Sequence, residues 1–176
     1  MQSWAIDFRF VTDERLRDVL EEYHSQAVKA YDAGAYVGTL VACGSVLEGL
    51  LTWALLGRKD DAIKSAGAHK NRDGQTLPIE KWNLSNLIDV AVTLGLLGKT
   101  AKDACWAVKD FRNFVHPHNL LAQSGRPDQA LAIGALVHCP KNSIPTLDDI
   151  SWGAWEDKRS GQVGSSDGEI PIPRSD

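Results

Sequence analysis

The stretch Tyr36–Gly57, YVGTLVACGSVLEGLLTWALLG, holds 22 residues and one charge, Glu48. It is long enough to cross a bilayer, but a carboxylate at mid-span costs about 2.5–3.5 kcal/mol on insertion scales. The flanking segments are amphipathic in pattern. A helix apolar nearly all round is then expected to be the buried centre of a bundle, and no membrane span is expected. On this helix, spanning roughly 35–56, Ser45, Glu48 and Thr52 recur at spacings of three and four and share one narrow stripe. Gly38, Ala42, Gly44 and Gly49 are small enough for neighbouring helices to approach closely. A carboxylate in such a helix is rarely buried alone, so Glu48 is expected to face a wet groove or to meet a cation.

Upstream, Thr12-Asp13-Glu14 marks a helix start, with a capping side chain and acidic groups at the positive end of the dipole. Leu16, Val19, Leu20, Tyr23, Ala27, Ala30 and Tyr31 then follow helical spacing, and Gly34 ends the helix. Downstream, 58–65 is expected to form a short helix and 66–78 a polar loop carrying His69, Lys70 and Arg72, either a phosphate contact or a solvated surface. A helix starting near Asn83 or Ser85 buries Leu84, Leu87, Ile88, Ala91, Leu94 and Leu97 and is expected to stop at Gly98, with Thr100 capping its successor. That successor, from Ala101 to about Val115, puts Val108, Phe111 and Val115 on its core side. Pro117 closes it. Gly125-Arg126-Pro127-Asp128 restarts a helix with proline in its first turn, although the apolar run Leu131–Val137 also fits a strand.

The whole describes an all-α protein, a helical bundle of four to six helices. At 176 residues it fits a single domain, 1–155, followed by a flexible tail, 156–176, rich in Gly, Ser, Pro and charge, with Trp152 and Trp155 packing back on the bundle. Apolar content of 43% and charged content of 24% are those of a soluble globular chain. The net charge of −4 argues against a general nucleic-acid coat, yet 99–126 carries five Lys or Arg against two Asp, a local basic patch. Three scattered cysteines and the lack of a signal-peptide pattern point to a reduced, cytoplasmic setting. No glycine-rich phosphate loop, nucleophile elbow or His-Glu-x-x-His pattern occurs, and neither a cofactor nor a metal is expected.

The chemically densest stretch is Asp110–His118, DFRNFVHPH. On a helix Arg112 and His116 stand one turn apart on the same flank, where a guanidinium can grip phosphate oxygens while an imidazole moves a proton. The same residues could be structural, with Arg112 paired to Glu48 or Asp110 and Pro117 ending the helix.

An apolar, small-residue-rich helix followed by Arg112-Asn113 and a nearby histidine resembles the HEPN superfamily over roughly 12–138. Its signature is Arg, a polar residue, and His after four to six intervening residues. The resemblance implies a helical bundle, commonly a homodimer. It assigns Arg112 to phosphate contact, Asn113 to the polar position and a histidine to the catalytic position. Three residues separate Arg112 from His116, one fewer than the signature, and five separate it from His118, across Pro117. Helix geometry favours His116 and the family spacing favours His118. Two functions follow from the resemblance. One is a non-enzymatic module of a bacterial defence or toxin–antitoxin type system, binding nucleic acid, a nucleotide or a cognate partner protein. The other is a metal-independent endoribonuclease that cuts RNA in a composite dimer site.

Overall fold

The computed structural model describes residues 4, 6–116, 118 and 127–138. Among them are six α-helices: α1 (Glu14–Asp32), α2 (Tyr36–Leu56), α3 (Lys59–Ala62), α4 (Leu84–Thr93), α5 (Lys99–Arg112) and α6 (Gln129–His138). Two 3-10 turns, Ile79–Lys81 and Asn113–Val115, complete the regular structure. The all-α bundle is as expected, and 129–138, which also fitted a strand, is helical. The expected tail 156–176, with Trp152 and Trp155, lies outside the described residues.

α2 is the hub, packed against α1, α3, α4, α5 and α6. It is long and apolar enough to cross a membrane, yet 67% of its apolar window is buried in the bundle. Leu40, Cys43, Val46, Leu50, Leu51 and Leu55 are fully buried, and each leucine of that kind stabilises by about 1.5–3 kcal/mol relative to exposure. The face left partly open carries Val41 and the polar row read from sequence, Ser45, Glu48 and Thr52.

The helix boundaries follow from local chemistry. Asp13 caps α1 by accepting from the backbone N–H of Arg15 and Leu16 at 3.1 and 3.2 Å. Gly34, at φ 72°, reverses the chain while Ala35 N–H donates to Ala30 and Gly34 N–H to Tyr31. The same device ends α4 at Thr93, four residues before Leu97, the last residue expected in it. Gly95 has φ 72°, with Leu96 N–H bonded to Ala91 O and Gly95 N–H to Val92 O. Gly98, expected to stop α4, is instead the extended residue that opens α5, so Thr100 lies inside that helix rather than capping it. The early reversal buries Leu96 and Leu97 in the connection. At α6 the cap is Asp128, which accepts from Leu131 N–H at 2.9 Å, and Pro127 precedes the helix rather than occupying its first turn.

The buried face of α1 is rotated from the one expected. Leu20, His24 and Ala27 are buried, whereas Val19 and Tyr23 are exposed. The N-terminal segment causes this: Phe8 and Val11 are buried, Phe8 lies edge-on to His24 at 6.0 Å, and Phe10 reaches Trp53. A row containing a histidine thereby becomes a core row.

Candidate functional site

α5 brings Arg112 to α2 at Gly44. A Cβ built on Gly44 would lie 3.0 Å from Arg112 Cδ and 3.3 Å from its Cβ and Cγ. The missing side chain lets the aliphatic stem of Arg112 lie on the helix. One turn further along α2, Glu48 accepts a hydrogen bond from the Arg112 guanidinium through Oε2. Both side chains are 37% exposed, so Glu48 meets a cation and water together. A pair this open is worth about 0–1 kcal/mol, and its carboxylate can be displaced.

After Arg112 the helix tightens into the 3-10 turn Asn113–Val115 and stops, with His116 extended at φ −89°, ψ 113°. An extended residue is what the following Pro117 favours. The tighter winding changes which side chain points inward. Phe114 is 4% exposed and stacks with Phe111 at 6.1 Å, while Val115, expected on the core side, is 51% exposed. At 3.0 residues per turn, 114 replaces 115 in the row that continues from Phe111.

The end of α5 and the start of α4 enclose an open groove of about 400 Å³. Lys109, Arg112, Asn113, Val115 and His116 form one wall; Asn83, Leu84 and Ser85 form the other. Lys109 sits 4.7 Å over the Trp106 ring and donates to Asp110 Oδ1 at 3.0 Å. Asn83 caps α4 by accepting from Asn86 N–H at 2.9 Å. The backbone N–H groups of a first helical turn have no partners within the helix, so that wall carries partial positive charge. The groove thus unites Arg112, Asn113 and His116 of the expected set. His118 is exposed and is not among the described residues that line it.

Asn86 ties this helix start to the loop 66–78. Its amide donates to Gly67 O at 3.0 Å and its carbonyl accepts from His69 Nδ1 at 2.7 Å, which fixes His69 as the Nδ1–H tautomer or the imidazolium. The loop closes on itself through a bridge between Lys70 and Thr76, with Asn71 Oδ1 accepting from Asp73 and Gln75 N–H. His69 is therefore committed to Asn86, while Lys70 and Arg72 stay exposed at the tip.

Gly44 and the α4 start were not singled out by sequence as parts of the site. Gly44 and Glu48 stand one turn apart, a small residue followed by a carboxylate, which is the signal that could have marked a seat for an arginine. Among the described residues no group of three or more His, Cys, Asp or Glu side chains could hold a metal. Comparison with models of known families, curated proteins and solved structures finds no match to this chain.

Proposed function

We propose that this chain is a HEPN-like, non-enzymatic binding module of a bacterial defence or toxin–antitoxin type system, and that its groove takes an anionic group from a nucleic acid, nucleotide or partner protein. The observation that carries the reading is the seating of Arg112: its stem rests on Gly44, its guanidinium meets Glu48, and the residue lines the groove. Lys109, His116, the Asn83 and Asn113 amides and the positive end of α4 surround the same space. This is an arrangement for holding an anion. A homodimer that sets two such grooves together is the assembly the resemblance implies.

Arg112 and His116 lining one groove also favours the second reading, a metal-independent endoribonuclease in which arginine grips a phosphodiester and histidine moves a proton. One experiment separates the two. A labelled single-stranded RNA is incubated with the protein in EDTA, with binding followed by anisotropy and integrity by gel. The binding module retains intact RNA and loses affinity about tenfold in Arg112→Ala, as expected when a charged hydrogen bond to the ligand disappears. RNA cut to cyclic phosphate ends, with His116→Ala abolishing the cut, establishes the nuclease instead. Equal affinity in the wild type and Arg112→Ala removes the groove from both readings.

A further inference from the structure

We propose that Glu48 is a built-in, displaceable counter-ion that makes the groove select a terminal phosphomonoester, such as a nucleoside 5′-monophosphate, over an internal phosphodiester. The inference rests on the reading of the groove as an anion site and adds what that anion must be.

Both permanently charged cations of the groove carry a carboxylate from their own chain. Arg112 is held by Glu48, and Lys109 by Asp110 at 3.0 Å. With its counter-ions in place the free groove is close to neutral and attracts a distant anion weakly. A ligand gains Arg112 only by displacing Glu48 from it. A phosphodiester brings one negative charge in exchange for the one it displaces, so charge alone gives it no advantage. A phosphomonoester carries about −1.5 to −2 at pH 7 and three acceptor oxygens, enough to hold Arg112 and still engage Lys109 or Asn113.

The geometry supports displacement rather than permanent pairing. The pair is 37% exposed on each side, and Glu48 meets the guanidinium at Nη1. The Arg112 stem is located separately by Gly44, so the guanidinium stays at the groove when Glu48 lets go. A volume of about 400 Å³ suits one nucleotide better than a tract of polymer.

The test uses the full chain and two probes, adenosine 5′-monophosphate and its monoanionic methyl ester, titrated by calorimetry at 50 and 200 mM salt. The wild type is expected to prefer the monophosphate by about fivefold, the factor a half-exposed ion pair can supply. In Glu48→Gln, nearly isosteric, the ester is expected to bind about fivefold tighter and the preference to shrink toward one. Equal wild-type affinity for the two probes overturns the inference without needing any variant. Weaker binding of both probes by Glu48→Gln overturns it too, making Glu48 a positioning residue for Arg112. A preference that survives in Glu48→Gln overturns it as well. If neither wild type nor Glu48→Gln binds either probe, this inference fails together with the anion-site reading. If Arg112→Ala binds both probes as the wild type does, the site reading itself fails.

Discussion

Arg112 lies on Gly44: a Cβ at that position would stand 3.0–3.3 Å from three carbons of the arginine stem. Two other glycines of α2 meet their neighbours differently. A Cβ on Gly38 would find Ala30 Cβ at 3.5 Å, an ordinary contact, whereas one on Gly49 would come within 2.9 Å of Leu20 Cδ2 in the core. Replacing a helical glycine by alanine gains about 1 kcal/mol from propensity, and overpacking a core costs about 1–3 kcal/mol. Gly38→Ala should therefore raise the melting temperature and Gly49→Ala lower it. Gly44→Ala should change stability little, because the long Arg112 stem can yield, yet weaken ligand binding several-fold because the guanidinium shifts. Thermal melts paired with binding titrations check the three; a Gly44→Ala protein with wild-type affinity would show that the seat does not matter.

The hub helix was legible because composition alone identifies it, and Glu48 because one charge in 22 residues must be accommodated. Its partner was legible only as one of two pairings of Arg112. Arg112 is 64 positions away, and Asp110 offered an equal match until the fold gave Asp110 to Lys109. Face assignments failed where the period changed or a polar residue entered a core row. Val115 turned outward because the last turn of α5 winds as 3-10, and Val19 and Tyr23 lost the core face to a row through His24. The expected stop of α4 at Gly98 was wrong because the earlier stop at Gly95 goes with the burial of Leu96 and Leu97 in the connection, which no local pattern shows.

Asn86 joins Gly67 and His69 to the start of α4 with two part-buried hydrogen bonds. Asn86→Ala removes both and leaves the Gly67 carbonyl and His69 without that partner, a loss of about 1–3 kcal/mol. The effect should be local as well as global. Hydrogen exchange across 67–77 should accelerate more than across α2, and a uniform acceleration would mean that the loop is not pinned at this point.

His116 lines the groove with Arg112, whereas His118 does not line it among the described residues. Both are exposed, so replacing either with alanine should change stability by no more than about 0.5 kcal/mol. Binding should separate them. His116→Ala is expected to weaken the anionic ligand by about threefold to fivefold, the loss of one modest hydrogen bond, and His118→Ala to leave it unchanged. The opposite order would make His118, rather than His116, the histidine that serves the ligand.

His24 gives the fold a pH dependence with a definite sign. It is 8% exposed, its ring meets Phe8, and Nε2 has no hydrogen-bond partner among the described residues. Burial pushes its pKa below the usual imidazole range by disfavouring the charged form. In the unfolded chain the same imidazole takes a proton near pH 6.5. Below that pH the unfolded state binds more protons than the folded one, so the His24 contribution is intact above about pH 6.5 and is lost as pH falls toward the depressed folded value. The slope from one such group is at most about 1.4 kcal/mol per pH unit. His24→Leu removes the titrating group and the unpartnered nitrogen together. It should stabilise the protein at neutral pH, and its advantage over the wild type should widen between pH 7 and pH 5. Urea unfolding of both proteins at the two pH values isolates the histidine from every other titrating group. A gap that does not widen would mean that His24 takes up its proton without leaving the core, and the segment carrying Phe8 would then have to move aside to let water in.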